Sequence, residues 1–180
     1  MKKRKIFILL TKFYDTGSKL LRFATGTYYT HASIGLEEDM NTFYSFVLKG
    51  FIEEKITRYN KPGRIPMPCS LYELEVSNKI YREIKKEIKV FSENKNDFRY
   101  ARLSLFFSIL HIPFRQKYGY FCSQFVAHIL EYAKAVELRK NSALYLPGDL
   151  DKIPGIKLNF KGNLLSMMNH FGIKRTECAA

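Results

Sequence analysis

Three short stretches in the first third of the chain constrain the fold most. Residues 6–13, 30–36 and 42–48 are rich in β-branched and aromatic side chains, and each is bounded by turn-forming residues. In the second of them His31, Ser33 and Gly35 alternate with Ala32, Ile34 and Leu36. Side chains on a strand alternate between two faces, so this pattern predicts a half-buried strand. Glu37-Glu38-Asp39 reads as an acidic turn, which makes 30–36 and 42–48 an antiparallel hairpin. Gly50 breaks the third stretch, and 51–56 continues extended.

Elements of another period follow. Residues 61–68 hold three of the six prolines and read as a loop. Residues 70–76 alternate as a strand. Ile80, Ile84, Ile88 and Phe91 recur at helical spacing, which predicts an amphipathic helix over 78–92. Residues 100–112 are apolar nearly all round and read as a buried helix. A further helix is expected over 122–135, with Val126, Ile129, Leu130 and Ala133 facing inward. Ser18 is placed to cap a short helix through Leu20, Leu21 and Phe23, and a last strand is expected around 156–160. No repeat or linker interrupts the chain. The expected class is α+β, an antiparallel sheet packed against helices, in one domain over 1–180.

Composition agrees with a packed core, with 15 Phe, 12 Tyr and no Trp. The formal charge of +13 favours peripheral contact with anionic surfaces. Lysine is spread along the whole chain and no nucleic-acid motif is present, so no specific nucleic-acid partner is expected. Cys69, Cys122 and Cys178 are too few and too irregular for a disulfide framework, and none has zinc-ligand spacing. No metal or cofactor is expected. The basic start and the apolar run 6–10 resemble a signal peptide, but the run meets Lys12 and Asp15 too early. A first strand explains it, and the location expected is cytoplasmic, where thiols stay reduced.

Cys122 is the residue with most chemical potential. It opens the apolar helix, where free N–H groups and partial positive charge stabilise a thiolate and can receive an oxyanion. Many free cysteines are simply small buried residues, and position alone leaves both readings open. A thiol nucleophile needs a base. His128 falls on the far face of the same helix, His111 lies beside a proline loop, and His170 lies in the tail. His31, at the entry of its strand, is either that base or a satisfied sheet histidine.

The residues around these two resemble a known family. Ile6-Phe7-Ile8-Leu9-Leu10-Thr11, Tyr29-Thr30-His31-Ala32-Ser33-Ile34-Gly35-Leu36, Tyr44-Ser45-Phe46 with Gly50-Phe51-Ile52, and Tyr120-Phe121-Cys122-Ser123-Gln124-Phe125-Val126-Ala127 are similar in kind and order to the circularly permuted branch of the NlpC/P60 superfamily of cysteine peptidases and amidases. There a papain-like fold places the histidine strand before the cysteine helix. The resemblance implies a permuted papain-like fold with Cys122 as nucleophile and His31 as base. Its third catalytic member is a polar residue, often Glu, on the strand after the histidine, and Ser45 holds that place here. Glu54 is the alternative, although Glu53-Glu54 also reads as a solvated edge. The function implied is hydrolysis or acyl transfer at an amide or ester of a peptide, amide or lipid-ester substrate. A non-catalytic binding module on the same fold is the competing expectation.

Overall fold

A computed structural model describes residues 3–14, 19, 22, 23, 25–59 and 66–173. Much of the helix expected after Ser18, and Cys178, lie outside the described residues. Six strands form one antiparallel sheet: β1 (Lys3–Thr11), β2 (His31–Leu36), β3 (Thr42–Val47), β4 (Gly50–Lys55), β5 (Pro68–Ser77) and β8 (Lys157–Asn163), in the order β4-β3-β2-β1-β5-β8. The class is therefore α+β, as the alternating stretches predict. The fourth stretch does not simply continue the third. It turns back on it, pairing Val47 with Gly50 across Leu48 and Lys49. Gly50 has φ of 101°, and a Cβ there would lie 2.9 Å from the Phe98 carbonyl oxygen, so only glycine fits this turn.

Helices cover both faces of the sheet. On one face lie α1 (Asn78–Glu93) and α3 (Cys122–Tyr132). Tyr81, Ile84, Ile88 and Phe91 of α1 and Phe125, Ile129 and Leu130 of α3 join Ile6, Ile8, Ile34 and Phe46 in the larger core. Ser77 caps α1, its hydroxyl accepting the Ile80 N–H at 3.3 Å. The other face carries Phe7, Leu9, Phe43, Ile56, Cys69 and Leu71 against Leu164, Met167 and Met168 of α4 (Leu164–His170). All six residues of β2 are consequently buried, where alternation alone predicts a strand with one wet face.

The helix over 122–135 ends early, at Tyr132. Lys134 takes a left-handed φ of 53°, and the Ala135 N–H reaches back to the Leu130 carbonyl at 2.9 Å. The last strand is longer than expected and forms the sheet's edge beside β5.

The stretch 100–112 departs most from expectation. Its helix, α2, is Arg102–Ile109, and only Ser104 and Ser108 are buried in it. Just before and after this segment, β6 (Arg99–Tyr100) and β7 (Gly119–Tyr120) pair in parallel as a second, two-stranded sheet.

Candidate active site

His31 and Cys122 meet where a strand and a helix both begin. β2 starts at His31, and α3 starts at Cys122. The Cys122 thiol lies close enough to the imidazole to favour its charged form. Phe121, just ahead of the helix, donates its N–H to Gln124 Oε1 at 3.4 Å, so the helix's own first turn holds the chain entering Cys122. The next N–H, that of Cys122, belongs to a helix terminus, whose first donors have no intrahelical acceptor.

The imidazole is fixed from two further sides. Its Nε2 bonds Oε2 of Glu54 at 3.0 Å, with side chains only 4% and 3% exposed. Carboxylate bonding at Nε2 places a proton there, which leaves Nδ1 as the ring nitrogen for the thiol. The ring of Phe13 stacks on it, centroids 4.7 Å apart and planes 19° from parallel. A stacked face and a bonded edge together restrain both position and tautomer.

The electrostatics follow from burial and pairing. Burial alone would lower the His31 pKa, but attraction to Glu54 and the contact with Cys122 outweigh it and hold it above the ordinary histidine range. Burial pushes Glu54 upward, and the facing His31 more than reverses that, with further help from the Tyr59 hydroxyl, so its carboxyl titrates below the ordinary range. Tyr59 is pushed up in turn, by burial and then by the nearby Glu54 charge. Imidazolium and carboxylate thus support each other in a dry place.

Ser45, the residue expected to orient the histidine, does not bond it. Its hydroxyl donates to the Ala32 carbonyl at 2.6 Å, tying β3 to β2. Glu54 is the residue on the imidazole, and the reading of Glu53-Glu54 as a solvated edge fails for it. Glu53 alone stays outside, where it accepts the Ser92 hydroxyl at 2.7 Å. One signal was present in the sequence. Glu54 has the strand parity of Ile52 and Ile56, and Ile56 is wholly buried.

The other histidines stand apart from this pair. His128 lies 3.6 Å from Glu87, and burial lowers its pKa. His111 is exposed with φ of 60°, and His170 packs on Phe171. Cys69 is free but sits in the smaller core, where burial pushes its thiol up to about 12. Among the described residues no cluster of His, Cys, Asp and Glu could hold a metal ion, and no helix is long and apolar enough to cross a membrane.

Comparison with protein-family models and with curated proteins finds no match for this chain.

Proposed function

We propose that this chain is a thiol hydrolase or acyltransferase, on a permuted papain-like fold, that acts on an amide or ester bond through Cys122, His31 and Glu54. The observation that carries the reading is a single buried imidazole with a carboxylate on Nε2 and a helix-terminal thiol as its other partner. A thiol, a base and a group that orients the base are the three parts nucleophilic acyl transfer requires.

The residues divide the steps among them. His31, as imidazolium, holds the thiol's proton on Nδ1, and the thiolate sulfur of Cys122 attacks the carbonyl carbon. The carbonyl electron pair moves onto oxygen, where the Cys122 N–H offers a donor. Collapse expels the amine or alcohol, which leaves with the proton from His31, and a thioester remains. Water, or another acceptor hydroxyl or amine, gives a proton to His31 and attacks the thioester, and the thiol is restored. Glu54 stabilises the imidazolium each time it forms and is itself never protonated. The substrate class is a peptide, amide or lipid ester. The free thiols suit a reducing compartment, which makes the cytoplasm the proposed location.

The test is to trap the thioester. The full chain is mixed with a p-nitrophenyl ester series and quenched within the first turnover, and intact mass and peptide mapping follow. An acyl adduct on Cys122, absent in Cys122→Ala and accumulating at reduced rate in His31→Ala, is the expected result. Turnover that persists in Cys122→Ala, or acyl groups shared equally with Cys69, would reject the assignment, and no turnover or adduct at all would leave a binding module.

A further inference from the structure

Helix α2 is inside out. Its buried residues are the serines Ser104 and Ser108, one turn apart. Leu103 is 55% exposed, Phe106 56% and Leu110, at the helix's end, 50%, at spacings that place them along one side, while Leu105, Phe107 and Ile109 are half-buried. Ile112 and Phe114 continue the same exposed surface beyond the helix. The arrangement is unfavourable in water on two counts. Apolar area stays wet, and the buried Ser108 hydroxyl has no hydrogen-bond partner. A soluble chain would gain by exchanging the two faces. The pattern makes sense only if something apolar covers the outer one.

The charges around this surface say what covers it. Arg99, Arg102, Arg115 and Lys117 flank it in sequence, and no acidic residue occurs between Asp97 and Glu131. Arg115 is engaged by Glu131 and Ser142, but Arg99, Arg102 and Lys117 are exposed. Tyr118, 54% exposed beneath the Lys117 ammonium, adds an aromatic ring with a polar tip at the border. Phe and Leu on one side, cations and a tyrosine at the rim, and the adjacent acid Glu131 taken up by Arg115 match the boundary between acyl chains and anionic headgroups. A second copy of the chain would bring the same cations against these and gain no such complementarity.

We propose that residues 102–114 are a membrane-docking surface that lies in the interface of an anionic phospholipid bilayer without crossing it. The parallel pairing of β6 and β7 fastens both ends of the segment, and Gly119 and Tyr120 lead directly into Phe121 and Cys122, so the segment is held to the chain that enters α3. The inference stands on the surface of α2 and its charges and holds whether or not Cys122 is a nucleophile.

Vesicle co-sedimentation of the full chain tests it, with phosphatidylcholine vesicles that contain or lack about 30% phosphatidylserine. The wild type should partition onto the anionic vesicles and only weakly onto the neutral ones. Leu103→Ser with Phe106→Ser should weaken that partition about tenfold or more while the circular dichroism spectrum is retained, and Phe106→Ser alone should weaken it less. Leu158→Ser, at an equally exposed leucine on β8, should leave it unchanged. The proposal is overturned if the wild type ignores anionic vesicles, or if the double variant binds them as the wild type does. It is equally overturned if Leu158→Ser does as much damage, or if the wild type is a dimer that the double variant dissolves and that vesicles leave unbound.

Discussion

The imidazole of His31 and the carboxylate of Glu54 bond at 3.0 Å across 23 residues of sequence, and both are almost wholly buried. Each shifts the other's titration, so the pair is both a structural tie and the part of the site most sensitive to pH.

Replacing Glu54 by Gln should show this directly. An amide fills the same space but leaves imidazolium without a counter-charge, and breaking a buried pair from one side costs on the order of 3 kcal/mol. The sign differs for the two partners. Glu54 is depressed in the fold, so its contribution is present above the ordinary value of 4.5 and is lost as pH falls through the folded value. His31 is raised, so its contribution is complete below 6.5 and is lost as pH rises through the folded value. Urea denaturation should therefore separate wild type from Glu54→Gln most widely between those limits, with the gap closing toward acid. A gap that does not change with pH would argue against a charged pair.

Ser45→Ala should have a different signature. The Ser45 hydroxyl serves the Ala32 carbonyl, and its loss removes one buried hydrogen bond, worth about 1 kcal/mol. Thermal melting should register that loss, and the alkylation rate of Cys122 should not change. A large fall in that rate would return Ser45 to the site.

Iodoacetamide at about pH 7 should label Cys122 and spare Cys69, whose thiol burial pushes up to about 12. His31→Ala should slow the labelling of Cys122 about a hundredfold, the lower end of what a positioned base contributes. Peptide mapping after timed quenching measures both, and equal labelling of the two thiols would contradict the expectation.

Gly35→Ala tests how packing supports the pair. Gly35, Phe43 and Glu54 lie side by side across β2, β3 and β4. A Cβ on residue 35 would come within 2.6 Å of the Phe43 ring, which is fully buried and has no room to yield. The cost expected is about 1–3 kcal/mol in urea denaturation, with slower alkylation of Cys122 as the Glu54 strand shifts.

The sequence made some of this legible and hid the rest for physical reasons. Period-two stretches and turn residues marked β1, β2 and β3 because each strand carries its own pattern. Cys122 was visible because the start of an apolar helix is a local feature, and so was His31 at the entry of its strand. Glu54 was obscured because two adjacent acids look like a wet edge, and its bond to His31 depends on how separate strands lie together. The segment 100–112 misled because an apolar run reads as interior. Ser104 and Ser108, four residues apart, were the only clue to which side faces inward, and a count of apolar residues passes over them.

The parallel pair β6 and β7 has one further consequence. Arg99 lies opposite Gly119 and Tyr100 opposite Tyr120, so the segment between them starts and ends at a single gate. Whatever lies between is inserted there like a cassette, and the six-stranded sheet takes no strand from it. Its outer residues can therefore change without disturbing the register that aligns His31 and Glu54, as long as the ties of Arg115 to Glu131 and Ser142 are kept. A graft at this gate could exchange the surface the protein sits on while leaving its chemistry intact.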